Sequence, residues 1–571
     1  MLRGDNFDTR LAGRIAVLVC TVLALGAADA VAAAQTRASS PPQRRVVLLG
    51  LPQRGNPTAF ATQVSNPSSP RYRRFLSLRQ YDQRFASSSA DRRRVVRYLT
   101  AQRGVTSVQV SGDKSVILAV VTQQAGRRLF CARGEAQPTG GLCEPRSIRR
   151  FVRQISVGEV YQLSTGSRQG GARRADEAST QSCAAATKNG EFTPQQLSTA
   201  YGINPLRARR LTGAGIRVAT LSSQEADTSG FKTWGRCFHL RAPVVRQFAM
   251  PGASRDTASA PEETVLDIEA LASLAPGLQR ITPIFVPLDQ SFTNSFLLFM
   301  LGALDPSRQG GRLPDILSVS DGVCESRFTR DQLNLGQRLL TEAAALGITT
   351  LAASGDLGFQ GCFINKPGSL FPSSSPFATS VGGTSLTLTP SNQIASQVVW
   401  STFATEPNQG VGTGGGPSKV WGRPGFQRAP GIGPQLQHGK PARVAPDIAA
   451  MASFTPGLAV FDKDGGGWGI GGGTSAATPL EAAIVALVLQ QERKAGRPRL
   501  GSLAPLLYQL ARGPNYHSIF FDVTRGTSSR HPASALGRSP AGGAAQPGYD
   551  LATGLGSLNA SAFARAVAAL A

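Results

Sequence analysis

At 571 residues the chain is long enough for more than one domain of ~100–200 residues, and 63 Gly, 37 Pro and only 17% charged residues describe a turn-rich fold with a sizeable core. The net charge of +25 invites a nucleic-acid reading, but residues 36 to 182 hold 25 Lys and Arg against 8 Asp and Glu, which is +17 of that total. A nucleic-acid binder keeps its basic face on the working body of the protein, whereas this basicity sits in a segment that looks removable, so no nucleic-acid partner is expected.

Arg3, Arg10 and Arg14 precede an apolar run from Ile15 to Ala28 and then Ala30-Val31-Ala32-Ala33-Ala34. This order is that of a secretory signal over residues 1–34, cut near Ala32 or Ala34. The run is shorter than the ~18 residues of a membrane span, so an exported, extracellular protein without a membrane anchor is expected. Residues 35–163 follow as an α+β unit. Arg45–Leu51 is predicted as a strand, Leu78–Arg84 as a short helix, Asp91–Gln102 as a helix capped by Asp91, and Ser107–Val110 and Ser115–Val121 as strands. Residues 164–182 are polar and rich in Gly, Arg and Ser, the composition of a solvated, cleavable linker.

In residues 183–571 the apolar runs Ile216–Leu221, Ile281–Val286, Ile316–Ser320 and Ile348–Ala353 alternate with helical segments, which predicts a parallel α/β sheet. Three motifs lie along this body. Glu263 and Asp267 are four residues apart among Val265, Leu266, Ile268, Ala270 and Leu271, so a helix puts both acids on one face. Two like charges held there and buried favour a shared proton; in isolation the same spacing describes a solvated acidic face. Asp356 ends an apolar strand in Ser354-Gly355-Asp356-Leu357-Gly358, a position where open parallel sheets place functional groups, or simply an Asp in a turn. Ser475 stands in Gly471-Gly472-Gly473-Thr474-Ser475-Ala476-Ala477-Thr478-Pro479 ahead of the apolar run Ala482–Leu489. That is a helix N-terminus whose unpaired N–H groups favour an oxyanion, or an ordinary N-cap.

A serine nucleophile needs a base. The four histidines, His239, His438, His517 and His531, lack the setting of a subtilisin-type base, and the absence of a second Gly after Ser475 argues against an α/β-hydrolase elbow. A carboxylate is left as the base.

Taken together, Asn66-Pro67-Ser68-Ser69-Pro70-Arg71-Tyr72, Phe192-Thr193-Pro194, the Glu263/Asp267 helix with Leu274-Ala275-Pro276-Gly277, Ser354–Gly358, Pro446-Asp447 and Gly472-Gly473-Thr474-Ser475 resemble the sedolisin and kumamolisin family of serine-carboxyl peptidases. The resemblance implies a subtilisin-like parallel sheet with flanking helices over residues 183–571, preceded by a ferredoxin-like α+β prodomain that assists folding and inhibits the enzyme. It implies a self-processing acid endopeptidase acting on polypeptides, with Ser475 as nucleophile, Glu263 as base, Asp267 sharing the proton of Glu263, and Asp356 in the oxyanion hole. Ser318–Gly322 and Gly412–Ser418 resemble cleft-lining segments, with Asp321 where relatives carry an aromatic residue such as Trp. Asp522, Val523, Gln546, Gly548 and Asp550 resemble the family's calcium loop, so one structural Ca2+ is expected; Gln546 replaces a usual Gly, and Ser528–Ala545 forms an insertion-like run.

Outside Cys20 six cysteines remain, an even count that suits an exported protein. The spacing leaves the pairing open; Cys131 with Cys143, Cys183 with Cys237 and Cys324 with Cys362 are the expected bridges. A monomer is expected. Three other readings stay open: a tripeptidyl-peptidase of the same family, a catalytically silent secreted binding protein on the same scaffold, and a polyanion-binding protein that retains residues 36–182.

Overall fold

The computed structural model describes residues 44–132, 142–160, 182–223, 225–253, 262–287, 293–359, 361–362, 368–406, 410–428, 436–437, 440–529 and 543–570. The expected signal (1–34), nearly all of the expected linker (164–182), His438, His531 and most of the Ser528–Ala545 run lie outside these residues.

The first layer is built from β1 (Arg44–Gly50), α1 (Pro57–Ser65), α2 (Leu78–Phe85), α3 (Ser89–Thr100), β2 (Val105–Val110), β3 (Val116–Thr122), α4 (Gln123–Phe130) and β4 (Gln154–Val160). Its antiparallel sheet has the strand order β2-β3-β1-β4, the ferredoxin-like arrangement. One difference from expectation is the cap of α3: Ser88 takes the N-cap, accepting from the Asp91 N–H at 3.1 Å and donating to the Asp91 carboxylate at 2.7 Å. Asp91 thus lies inside the first turn, where its charge complements the helix dipole.

Alternation along β1 sends its side chains to two different cores. Val47 and Leu49 pack with Val95 and Leu99 of α3 and Leu129 and Phe130 of α4. Val46 and Leu48 face the other way and join a core with Phe296, Leu297, Leu335 and Leu339. These belong to α6 (Thr293–Ala303) and α7 (Arg330–Ala345) of the larger body. Polar contacts register this interface: Asp331 accepts from the Ile155 N–H at 3.1 Å, Arg338 donates to the Ser115 carbonyl at 3.0 Å, and Arg73 pairs with Glu492 at 2.8 Å.

The larger body is organised on one sheet. In the order β11-β10-β9-β8-β5-β7-β6 it contains β11 (Ile394–Val399), β10 (Thr379–Leu388), β9 (Thr349–Ala353), β8 (Ile316–Val319), β5 (Arg217–Ser222), β7 (Arg280–Phe285) and β6 (Phe248–Ala249), with β12 (Ile448–Met451) also on β10. Every pairing is parallel except β10 with β11. The four expected strand runs are β5, β7, β8 and β9, each within a residue of its expected ends. They read as continuous apolar runs because both faces of a parallel sheet are covered.

The helix α5 (Glu262–Leu274) packs on α8 (Gly473–Lys494). α8 is long and apolar enough to cross a membrane by length and composition, but it is a core helix, 94% buried inside the fold. Burying each of its Leu and Ile side chains contributes about 1.5–3 kcal/mol, which holds the helix that bears Ser475 as a rigid spine.

Candidate active site

Ser475 is the third residue of α8 and keeps some surface, while Thr474 and Ala476 on either side are buried. Gly473 can open this helix for two reasons. Its φ of +76° suits glycine, and a Cβ there would lie 2.6 Å from Asp356 Oδ2. The close approach lets Asp356 Oδ1 accept from the Thr474 N–H at 2.8 Å and from its hydroxyl at 2.7 Å. The Thr474 hydroxyl oxygen in turn accepts from the Gly355 N–H at 3.1 Å. Burial pushes the Asp356 carboxyl up and the two Thr474 bonds pull it back, for a net rise. The residue keeps some surface, but its carboxyl is enclosed enough for burial to win.

On the other side of Ser475, α5 carries Glu263, half-buried, and Asp267, with no exposed surface. Asp267 Oδ1 accepts from the Ser320 hydroxyl at 2.6 Å, while Oδ2 makes no hydrogen bond. Burial first, then the neighbouring Glu263 charge, hold the Asp267 carboxyl well above its usual range; the Ser320 bond acts against them and Asp321 adds to them. Burial also pushes Asp321 up, to about 6. The Ser320 hydroxyl lies 3.3 Å from the carbonyl oxygen of Ser475, so Asp267 and the Ser475 backbone meet at one side chain. The structure therefore brings Asp267, Asp356 and Ser475 around the first turn of α8, with Glu263 one helical turn from Asp267.

The expected cleft segments flank this centre. Gly412 donates to the Asp356 carbonyl at 2.8 Å and Gly414 to the Gly355 carbonyl at 2.6 Å, placing the Gly412–Ser418 segment beside the Asp356 turn. Of the described histidines, His239 is exposed and the ring of His517 packs edge-on against Tyr516. Neither is a hydrogen-bond partner of Asp267, Asp356 or Ser320.

From the sequence, Ser320 was placed only within a cleft-lining segment and Thr474 only within the Ser475 motif, neither with a part of its own. Each is a hydroxyl beside a candidate acid in space and far from it along the chain, so only its place at a strand end or in the Gly-rich turn was visible. A buried bidentate pair, Arg443 with Asp447, was also missed. Asp447 Oδ2 additionally accepts from the Ser380 N–H at 2.8 Å, tying the loop before β12 to β10.

The cysteines correct one expectation. Cys131–Cys143 and Cys183–Cys237 are bonded, whereas Cys324 and Cys362 are free. These two thiols interact without bonding, and the Cys362 sulfur donates to the Ser369 carbonyl at 3.6 Å. That contact also ties Cys362 to the loop ahead of Leu370.

The expected calcium loop is folded. The Gly548 N–H reaches the two Asp522 oxygens at 3.2 and 3.0 Å. Asp550 is buried, with Oδ1 accepting from the N–H groups of Ala552 and Thr553 at 2.8 Å and Oδ2 from the Thr553 hydroxyl at 3.0 Å. Among the described residues neither acid forms an ion pair with Lys or Arg, and the available donors are carboxylates and carbonyls. An oxygen-only set with buried negative charge and no protein cation fits a hard divalent ion.

Residues 34–134 match the family model for the pro-kumamolisin activation domain. Kumamolisin from Bacillus sp. (strain MN-32) is 31% identical over 378 residues, covering 64% of this chain and 62% of its own length. Human tripeptidyl-peptidase 1 is 31% identical over 271 residues, covering 43% of this chain and 42% of its own. The chain thus aligns with less than two thirds of either relative. Among solved structures, Pseudomonas sedolisin (serine-carboxyl proteinase) complexed with two molecules of pseudo-iodotyrostatin superposes with a TM-score of 0.56 at 22% identity, over 66% of this chain and 98% of that one, which shows the fold. The class is therefore an α/β protein of subtilisin-like architecture behind a prodomain. Residues 34–134 carry a pro-kumamolisin-type activation domain, and the chain is similar to kumamolisin over 378 residues.

Proposed function

We propose that the protein is the exported zymogen of a serine-carboxyl endopeptidase that processes itself and cleaves polypeptides in acid. The observation that carries this reading is the meeting of two separate carboxyl groups, Asp267 through Ser320 and Asp356 through Thr474, on the first turn of the helix that bears Ser475. Glu263 accepts the Ser475 Oγ proton as the oxygen attacks the scissile carbonyl carbon. Asp267 orients Glu263 and shares its proton. The oxyanion receives hydrogen bonds from protonated Asp356 and the Ser475 N–H. Glu263 then passes its proton to the leaving amine, and water attacks the acyl-enzyme by the same route in reverse. One carboxyl must be ionised while others stay protonated. With reference values near ~4, that combination belongs to acidic solution, and the burial of Asp267 and Asp356 extends it upward.

Residues 35–163 serve as the enzyme's own inhibitor, consistent with the apolar and ionic interface they form with α6, α7 and Glu492. Asp522 and Asp550, with the carbonyls of Val523, Gln546 and Gly548, would hold one Ca2+ and brace the loop against Tyr516. Calcium should then raise Tm by several degrees and a chelator should lower it; a Tm that ignores both sinks the assignment. A tripeptidyl-peptidase is the second reading, favoured by the match to tripeptidyl-peptidase 1, and blocking the substrate's N-terminus would abolish its activity.

The deciding experiment acidifies the chain lacking residues 1–34 beside its Ser475→Ala and Glu263→Ala variants. Only the unsubstituted protein should shed the basic segment and digest a denatured protein. Equal processing by all three refutes the roles given to these residues.

A further inference from the structure

We propose that Ser320 is a positioning residue of the acid pair: its hydroxyl grips Asp267 by Oδ1, turns Oδ2 toward the proton shared with Glu263, and sets both beside the backbone of the nucleophile. This rests on the mechanism proposed above and adds to it a residue with no assigned part.

The geometry begins in α8. Pro479, four residues after Ser475, has no N–H, so the Ser475 carbonyl lacks the usual intrahelical donor. The Ser320 hydroxyl lies 3.3 Å from that carbonyl oxygen and 2.6 Å from Asp267 Oδ1. A hydroxyl has one proton to give. At 2.6 Å the carboxylate takes it, and the Ser475 carbonyl is the second acceptor to which the same group can turn. Three elements that meet nowhere in sequence, α5, the end of β8 and the start of α8, are thereby coupled through one side chain. With Oδ1 engaged and Oδ2 without a hydrogen bond, Asp267 has a single oxygen left to share a proton with Glu263.

The titratable groups acting on Asp267 are Glu263 from its own helix and Asp321 from the segment after β8, both acidic. α8 contributes the uncharged Ser475 main chain at the Ser320 hydroxyl. The Ser320 bond favours ionised Asp267 and Asp321 disfavours it. In the proposed mechanism the pair works with one proton, and activity ends on the alkaline side when that proton leaves. Removing the hydroxyl makes Asp267 hold the proton more tightly, which moves the alkaline limb to higher pH. Removing the Asp321 charge moves it to lower pH.

The test is the pH profile of kcat and KM for a peptide substrate, measured on the acid-processed full chain and on Ser320→Ala, Ser320→Thr and Asp321→Asn. Ser320→Ala should lower kcat about tenfold at little change in KM and shift the alkaline limb upward. Ser320→Thr, which keeps the hydroxyl, should restore both, and Asp321→Asn should shift the limb downward. A Ser320→Ala profile that coincides with the unsubstituted one, or a loss of Tm and rate with an unmoved limb, overturns the proposal. If Ser320→Ala fails to fold, a Ser320→Thr profile displaced as far as that of a Ser320→Cys variant overturns it equally. Failure of the underlying mechanism shows separately, as processing that survives Ser475→Ala.

Discussion

Asp267 and Asp356 are the same residue type on opposite sides of one serine, and the protein treats them differently. Asp267 has no exposed surface, one hydroxyl on one oxygen, and two further acids acting on it. Asp356 has its Oδ1 clamped by both the N–H and the hydroxyl of Thr474, and no other acid raises it. Burial pushes both carboxyls up. For Asp267 the neighbouring charge of Glu263 adds to burial, which suits a proton held between two acids; for Asp356 fixed donors oppose burial, which suits a carboxyl aimed at one point. In the proposed mechanism, environment rather than residue type separates sharing a proton from donating a hydrogen bond.

The largest effect should come from breaking the sharing side. Asp267→Asn keeps the shape but cannot exchange a proton with Glu263, and kcat should fall on the order of 10³-fold; a variant within a few-fold of the unsubstituted enzyme would remove Asp267 from the chemistry. On the donating side, Asp356→Ala deletes the proposed oxyanion donor and should cost about 10²-fold in kcat with KM retained. A rise in KM at constant kcat would instead make Asp356 a binding group. Thr474→Val leaves the N–H bond and removes only the hydroxyl, so steady-state assays should find a loss of about tenfold.

The smallest kinetic effect sharpens the comparison from outside the site. Glu481 is buried in the middle of α8, with one oxygen accepting from the Leu558 N–H at 3.4 Å and the other unbonded, and burial pushes it up to about 8. The folded state holds this proton more tightly than the unfolded chain does. Its contribution is complete below the ordinary value near ~4.5 and is lost as pH climbs toward 8, by on the order of 5 kcal/mol at most. Thermal melts from pH 4 to 8 should lose part of their pH slope in Glu481→Gln while catalysis at acidic pH barely changes. An unaltered slope would mean that Glu481 is ionised and solvated in the native state.

Much of the architecture was legible along the chain because local physics writes it there. Apolar runs such as Ile216–Leu221 announce strands buried on both faces, and Gly472-Gly473-Thr474-Ser475 announces a helix entered through a backbone that only glycine tolerates. The order of the acidic, Asp356 and Ser475 motifs marked three site-bearing elements. Less legible were α1, α4 and β4, which gain their stability from packing: β4 contacts α6 and α7, far away in sequence.

What the sequence by itself determined, then, was the central strands β5, β7, β8 and β9, the pairing of Glu263 with Asp267 on one helical face, and the glycines that open α8, since each depends on neighbours within a few residues. Tertiary structure alone decided which hydroxyl meets which acid, that Ser320 lies beside the Ser475 carbonyl left open by Pro479, that Cys324 and Cys362 stay unbonded, and that one face of the prodomain sheet completes a core with α6 and α7. The Ser320 contacts turn on distances of 2.6 and 3.3 Å between groups 53 and 155 residues apart. Hydrogen bonds act only at such range, and no periodicity or composition records it.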